Sequence, residues 1–287
     1  MIPGEFEYQK ASSVQEAVQL LQQNGEAKLL AGGHSLIPMM KLRLANPPSL
    51  IDIGGIEELR GIKQSNGGVT IGALTTHTMV EESRELRESF PMLYDAAHVI
   101  GDPMVRNRGT FGGSLAHADP AGDWPAVVLA LGAQIKAVGP NGERTIAADD
   151  FFVDLLTSAL EPGEVLTEVT LPAPAGKHGM SYQKFSHPAS GYAVVGVAAV
   201  VTVGDDGTCR DCRVAITGAG PKATRATAVE QALAGKKLDA DAIAQAAEHA
   251  GEGMDFLGDI FASEEYRQHL VKVYTKRALT AALEKAK

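Results

Sequence analysis

Two short segments of this chain place adjacent glycines just ahead of a small hydroxylated side chain: AGGHS at residues 31–35 and VRNRGTFGGS at residues 105–114. With no Cβ at the paired positions, successive backbone N–H groups can turn toward one point, and such a point attracts an anion. Either loop alone reads equally well as an ordinary turn. The two together, about eighty residues apart, suggest a clamp on one extended ligand with more than one phosphate group. A dinucleotide diphosphate is the economical candidate.

The rest of the sequence bounds what such a clamp belongs to. Its 287 residues suffice for about two domains, and 45% hydrophobic residues supply their cores. A net charge of -9, from 26 Lys and Arg against 35 Asp and Glu, lacks the basic footprint of a nucleic-acid binder. No apolar run reaches the roughly 18 to 20 residues that cross a bilayer. The start, MIPGEFEYQK, has neither the basic residues nor the apolar stretch of a signal peptide, so a cytoplasmic location is expected. Two cysteines build no disulfide framework and hold no iron–sulfur cluster alone. Cys209 and Cys212 stand in a C-x-x-C spacing within TCRDCRVAITG. In a strand, a separation of three points two side chains to opposite faces, so a structural role is expected for both.

Periodicity and punctuation give a coarse element order. Residues 13–21 read as an amphipathic helix with a capping box from Ser13 and Glu16, stopped by Asn24-Gly25. A short strand at 28–31 runs into the first glycine loop, followed by strands at 49–53 and 69–74. Thr75 or Thr76 can cap a helical stretch holding Met79, Val80, Leu86 and Met92, with Pro91 expected to break it. After the second loop, Asp123 can cap a helix from Pro125 to Leu131 that is apolar all round and hence buried. Strands are expected at 133–138, 164–171 and 180–185, then a hairpin of 193–203 with a strand ending at Thr217 around Gly204-Asp205-Asp206-Gly207. Ser263 starts a last helix on which Tyr266, Leu270, Val273, Tyr274, Arg277 and Ala278 keep helical spacing. Residues 172–179, with two prolines and two glycines, are the best domain boundary.

Neither common nucleotide motif explains the glycine loops: G-x-G-x-x-G and G-x-x-x-x-G-K are missing. No clustered metal ligands and no Gly-x-Ser-x-Gly elbow appear, so no catalytic and no metal-binding residues are expected. The chain reads as a holder of a cofactor.

The segments AGGHSLIPMMKLRL, SLIDIGGI, VTIGALTTH, GDPMVRNRGTFGGSLAHADPAGDWPA and EPGEVLTEVTLP, in this order, resemble the medium, FAD-binding subunits of molybdenum hydroxylases of the xanthine dehydrogenase family. Within that family the likeness is greatest to the medium subunits of aerobic carbon monoxide dehydrogenases, and it covers essentially the whole chain. The resemblance implies an α+β fold: a two-part FAD-binding domain of the vanillyl-alcohol-oxidase/PCMH type over residues 1–176, with halves of about 1–55 and 56–176. A C-terminal domain with a small antiparallel sheet and helices would follow over 177–287.

The resemblance also implies non-covalent FAD here, with molybdopterin and [2Fe-2S] clusters on a large and a small partner subunit, in a dimer of heterotrimers. Ala31, Gly32, Gly33, His34 and Ser35, with Thr110, Phe111, Gly112, Gly113 and Ser114, would hold the diphosphate through backbone N–H and hydroxyl groups. Asp123 would accept hydrogen bonds from the ribose or adenine side. Ile100 and Leu166 would pack on the cofactor, Lys184 would sit near the polar edge of the isoalloxazine, and Tyr192 would lie by its reactive face. The chain departs from the family pattern in two places. SHPASG at residues 186–191 replaces a basic stretch ending in Gly-Asp, and Ser114 stands where many relatives have Asn. The first difference leaves the substrate of the complex and the electron acceptor open. Two other readings stand beside this one: a stand-alone FAD oxidase with His34 joined covalently to the flavin, and a non-catalytic nucleotide-binding module.

Overall fold

Residues 2–65 and 68–286 are described in a computed structural model. Strands β1 (Glu7–Lys10), β2 (Lys28–Leu30) and β3 (Ser49–Asp52) form a parallel sheet in the order β1-β3-β2. Parallel strands need crossovers, and the helix Val14–Gln23 lies on the one that carries the chain from β1 past the place of β3 to β2. Ser13 caps it, accepting the N–H of Glu16 at 3.1 Å. The Glu16 carboxylate reaches back to the N–H of Ser12 at 2.7 Å, so the expected capping box closes one residue early. Val14, Ala17 and Val18 pack with Ile51, Ile53 and Leu74 in the core of this half.

The second half is an antiparallel sheet of five strands. β4 (Ile62–Ser65), β5 (Gly68–Gly72), β6 (Gln134–Gly139) and β7 (Gly142–Ala147) precede a small hairpin of β8 (Phe152–Asp154) and β9 (Thr157–Ser158). With β10 (Val165–Pro172), the sheet order is β4-β5-β10-β6-β7. Between β5 and β6 the single helical stretch expected after Thr75 is three short helices instead. Thr76 caps His77–Glu82, Ser83 caps Arg84–Ser89, and Pro91 opens Pro91–His98. Proline breaks a helix only from inside; at the first position its missing N–H costs nothing and its fixed φ suits the turn. Thr75 is not a cap: its buried hydroxyl donates to the Gly61 carbonyl and accepts the Gly61 N–H, both at 3.0 Å.

β11 (Lys177–Ser186), β12 (Ala193–Val203), β13 (Cys209–Thr217) and β14 (Thr224–Arg225) form an antiparallel sheet in chain order. The last helix, Glu264–Lys285, lies on one face, meeting Val195, Val197, Ala199 and Val201 through Leu270, Val271, Tyr274, Ala278 and Ala282. Met180, Tyr182, Ala198 and Ala215 point the other way, into the core of the second half. There they meet the helix Asp123–Leu131, whose nine residues are all buried. A helix apolar all round needs a partner on every side, and this one has a sheet of each domain.

The strand parity expected for the cysteines is broken by a β-bulge. Thr202 pairs with Asp211 but Val203 with Cys209, so Arg210 is the extra residue. Both thiols are therefore buried on the same side, in the C-terminal core, rather than on opposite faces.

Candidate functional site

Each glycine loop ends an extended or coiled segment and opens a short helix. Residues 31–35 follow β2 and lead into Leu36–Lys41; residues 107–110 follow Pro103–Arg106 and lead into Phe111–His117. The two loops touch. A Cβ on Gly32 would lie 2.1 Å from the Arg108 carbonyl oxygen, and Gly33 has φ +75°, where any other residue is strained.

The contact leaves a row of donors. Among the described residues, the N–H groups of Gly32, Gly33, His34 and Ser35 have no acceptor in the chain, and neither has that of Thr110. Buried or cleft-facing N–H groups rarely stay unpaired without a ligand or water to receive them. The second loop contributes fewer donors than expected. The Phe111 N–H is taken by Thr75 O and that of Gly112 by Ala73 O, both at 2.9 Å, because this helix is stitched to the end of β5. Gly113 N–H goes to the capping Thr110 hydroxyl at 3.2 Å and Ser114 N–H to Thr110 O at 3.0 Å. What remains for a ligand is the Thr110 N–H and the hydroxyls of Thr110 and Ser114.

These donors open on a cleft of about 880 Å³, near the upper end for ligand sites. Of the expected residues, Ala31, Gly32, Gly33, His34, Ser35, Ile100, Thr110, Gly112, Gly113, Ser114, Asp123, Leu166 and Tyr192 line it. Phe111 and Lys184 do not. The Phe111 ring is fully buried, edge-on to Trp124 with centroids 4.8 Å apart, because position 111 is the inner face of its helix. Lys184 turns inward from β11 and donates to Asp123 Oδ2 at 2.9 Å and to Val99 O at 3.0 Å. It is thus a strut behind the cleft.

Asp123 was expected to cap its helix, but Gly122 holds the cap position and Asp123 sits in the first turn. Its carboxylate accepts from Tyr182 at 2.5 Å and from Lys184, in an ion pair whose side chains are 2% (Lys184) and 6% (Asp123) exposed. Burial pushes the Asp123 carboxyl up, opposed by the Lys184 charge and the Tyr182 hydrogen bond. Each oxygen has accepted one hydrogen bond and keeps capacity for another, and the residue lines the cleft.

Tyr192 arrives from the C-terminal domain on a closed loop. His187 N–H donates to Tyr192 O at 2.8 Å and Gly191 N–H to His187 O at 2.9 Å, while the His187 ring packs edge-on against Phe261 at 4.1 Å. Desolvation and the Asp119 charge push the Tyr192 phenol up, opposed by the nearby Ser35 hydroxyl. The site is therefore built from both domains.

Three features had no counterpart in the sequence reading. Arg106 donates to Glu81 at 2.7 Å and to Ile100 O at 3.1 Å, fixing the backbone that presents Ile100. Leu156, in the left-handed region at φ 51°, reaches the cleft from the β8–β9 hairpin. His77, buried beneath the second loop, lines the wall; the only hint was its place right after a threonine pair at a strand end.

The family described as FAD binding domain in molybdopterin dehydrogenase matches residues 4–174. The family described as CO dehydrogenase flavoprotein C-terminal domain matches residues 180–282. The carbon monoxide dehydrogenase medium chain of Hydrogenophaga pseudoflava is 42% identical over 283 residues, 98% of each chain. Subunit alpha of the 6-hydroxypseudooxynicotine dehydrogenase complex of Paenarthrobacter nicotinovorans is 37% identical over 288 residues, 100% of this chain and 97% of that one. A solved chain of carbon monoxide dehydrogenase from Hydrogenophaga pseudoflava superposes with a TM-score of 0.96 at 43% identity, covering 100% of both.

Proposed function

This chain belongs to the FAD-binding family of the molybdopterin dehydrogenases, and from that premise we propose that it is the electron-transfer flavoprotein subunit of a molybdenum hydroxylase complex. When bound, FAD supplies the redox chemistry, taking electrons from iron–sulfur clusters of a partner and passing them to an external acceptor. The observation that carries the reading is the row of four unpartnered N–H groups from Gly32 to Ser35, facing a cleft of dinucleotide size. With Thr110 and Ser114 they would bind the diphosphate. Ile100 and Leu166 would exclude water from the apolar part of the cofactor, Asp123 would accept from its sugar or adenine, and Tyr192 would cover the ring.

His34 supports non-covalent binding. Its Nδ1–H donates to the Gly32 carbonyl of its own loop at 3.0 Å, which makes the ring part of the cradle. Relatives are the medium chain of a carbon monoxide dehydrogenase and a subunit of a 6-hydroxypseudooxynicotine dehydrogenase complex, and the substrate of the present complex would be set by its molybdopterin subunit. The assembly is proposed to be a dimer of heterotrimers in the cytoplasm; among the described residues no helix is long and apolar enough to cross a membrane. The test is direct. The purified chain should be yellow, and acid precipitation should release FAD into the supernatant. Colour retained in the pellet would favour covalent attachment, and a colourless chain that takes up no added FAD would overturn the reading.

A further inference from the structure

We propose that His77 is a further binding residue of this cleft, donating a hydrogen bond from its Nε2–H to the diphosphate of the cofactor. The inference rests on the FAD reading above. His77 is the first residue of its helix, placed at the end of β5 by the Thr76 cap and by its own N–H bond to Gly109 O at 3.1 Å. The side chain is 5% exposed, yet it lines the cleft. Trp124 Nε1 lies 3.0 Å from His77 Nδ1. An indole nitrogen only donates, so Nδ1 must accept, and a neutral ring then carries its proton on Nε2.

That tautomer is held by the core. Trp124 sits on the helix buried between the two domains, with the Phe111 ring edge-on against it. Among the described residues no acceptor takes the Nε2–H. The ring nitrogen faces Gly109, where an added Cβ would lie 2.6 Å from it, and Gly109 precedes Thr110 with its unpartnered N–H. The Arg106 guanidinium, whose charge acts on His77, is already committed to Glu81 and to the carbonyls of Ile100 and Gly101. Burial, with His34 and Arg106 nearby, pushes the His77 pKa down to about 4, so the ring stays neutral and keeps this single donor at physiological pH. An oriented neutral donor in a desolvated wall binds a phosphate oxygen without bringing a second buried charge.

Two substitutions separate this role from simple support of Trp124. His77→Asn can still accept the Trp124 N–H near the Nδ1 position but has no donor at Nε2. His77→Gln reaches the Nε2 position but leaves the Trp124 N–H unpaired. The full chain, stripped of flavin, would be titrated with FAD by flavin fluorescence, with thermal melts in parallel. His77→Asn should bind FAD about ten- to a hundredfold more weakly with a melt near wild type, whereas His77→Gln should keep affinity within about threefold and melt lower. An Asn variant that binds as wild type does would overturn the proposal. Spectra of the wild-type chain with ¹⁵N-labelled histidine serve if the variants do not fold. They should show His77 as the Nε2–H tautomer, with its Hε2 signal moving downfield on saturation with FAD and with ADP. A signal unmoved by both ligands sinks the proposal while leaving FAD binding intact; a wild-type chain that binds no FAD sinks both readings.

Discussion

At the scale of single residues, the site depends on backbone positions more than on side chains. Gly33→Val should abolish FAD binding and leave a folded chain. Its φ of +75° is closed to a β-branched residue, and even a first carbon would meet Ile37 and Leu30 at 3.1 and 3.2 Å. Circular dichroism and flavin content measured on one sample would check this, and full occupancy would count against the cradle. His77 gives a second expectation. Its pKa is about 4 in the fold against 6.5 unfolded, so the unfolded chain binds more protons between those values. The stability it contributes is complete above pH 6.5 and is lost as pH falls toward 4, by at most about 3 kcal/mol. Urea melts of wild type and His77→Asn, alike near neutral pH, should separate as pH drops, wild type losing stability that the variant keeps; a difference that does not change with pH would contradict the buried neutral ring. Residue spacing made the glycine loops legible, because each pairs two glycines at the start of a short helix. It could not show that Phe111 turns into the core or that Lys184 turns from the cleft to Asp123, since each depends on the element packed behind it.

At the scale of elements, the helix Asp123–Leu131 was readable as buried from composition alone. What the pattern lacked was the identity of the surfaces around it, and hence the reason for Asp123. In sequence an aspartate before Trp-Pro reads as a cap; in the fold it ties this helix to β11 through Tyr182 and Lys184. Lys184→Met should destabilise the chain by about 3 to 5 kcal/mol, because it strands a buried carboxylate. Adding Asp123→Asn should recover part of the loss, and chemical denaturation of the two variants measures both. Equal stability of the single and double variants would show the pair to be uncoupled. The cysteines show the limit of period-two reasoning. One bulged residue, Arg210, brings both thiols into one core, and nothing in TCRDCRV signals a bulge there.

At the scale of the whole molecule, the order of strands and helices was largely recoverable, while the way the five-stranded sheet and the C-terminal sheet share one interior was not. Such sharing is set by contacts between distant segments, to which local periodicity is blind. The proposed division of labour has a simple check. The purified chain alone should oxidise no aldehyde, heterocycle or carbon monoxide, yet carry electrons from dithionite to an artificial acceptor once loaded with FAD. Steady turnover of any such substrate by this polypeptide would overturn the subunit assignment. The seam between the domains has one more consequence. Gly33 and Ser35 approach the cleft from one domain and Tyr192 from the other, so a ligand held between them is bound only while the halves stay together. Occupancy must then favour the closed arrangement by the same free energy with which closure favours occupancy. Retention of yellow colour would thus serve as a gauge of cohesion for the entire chain, fading when a distant lesion at the buried helix lets the two halves part.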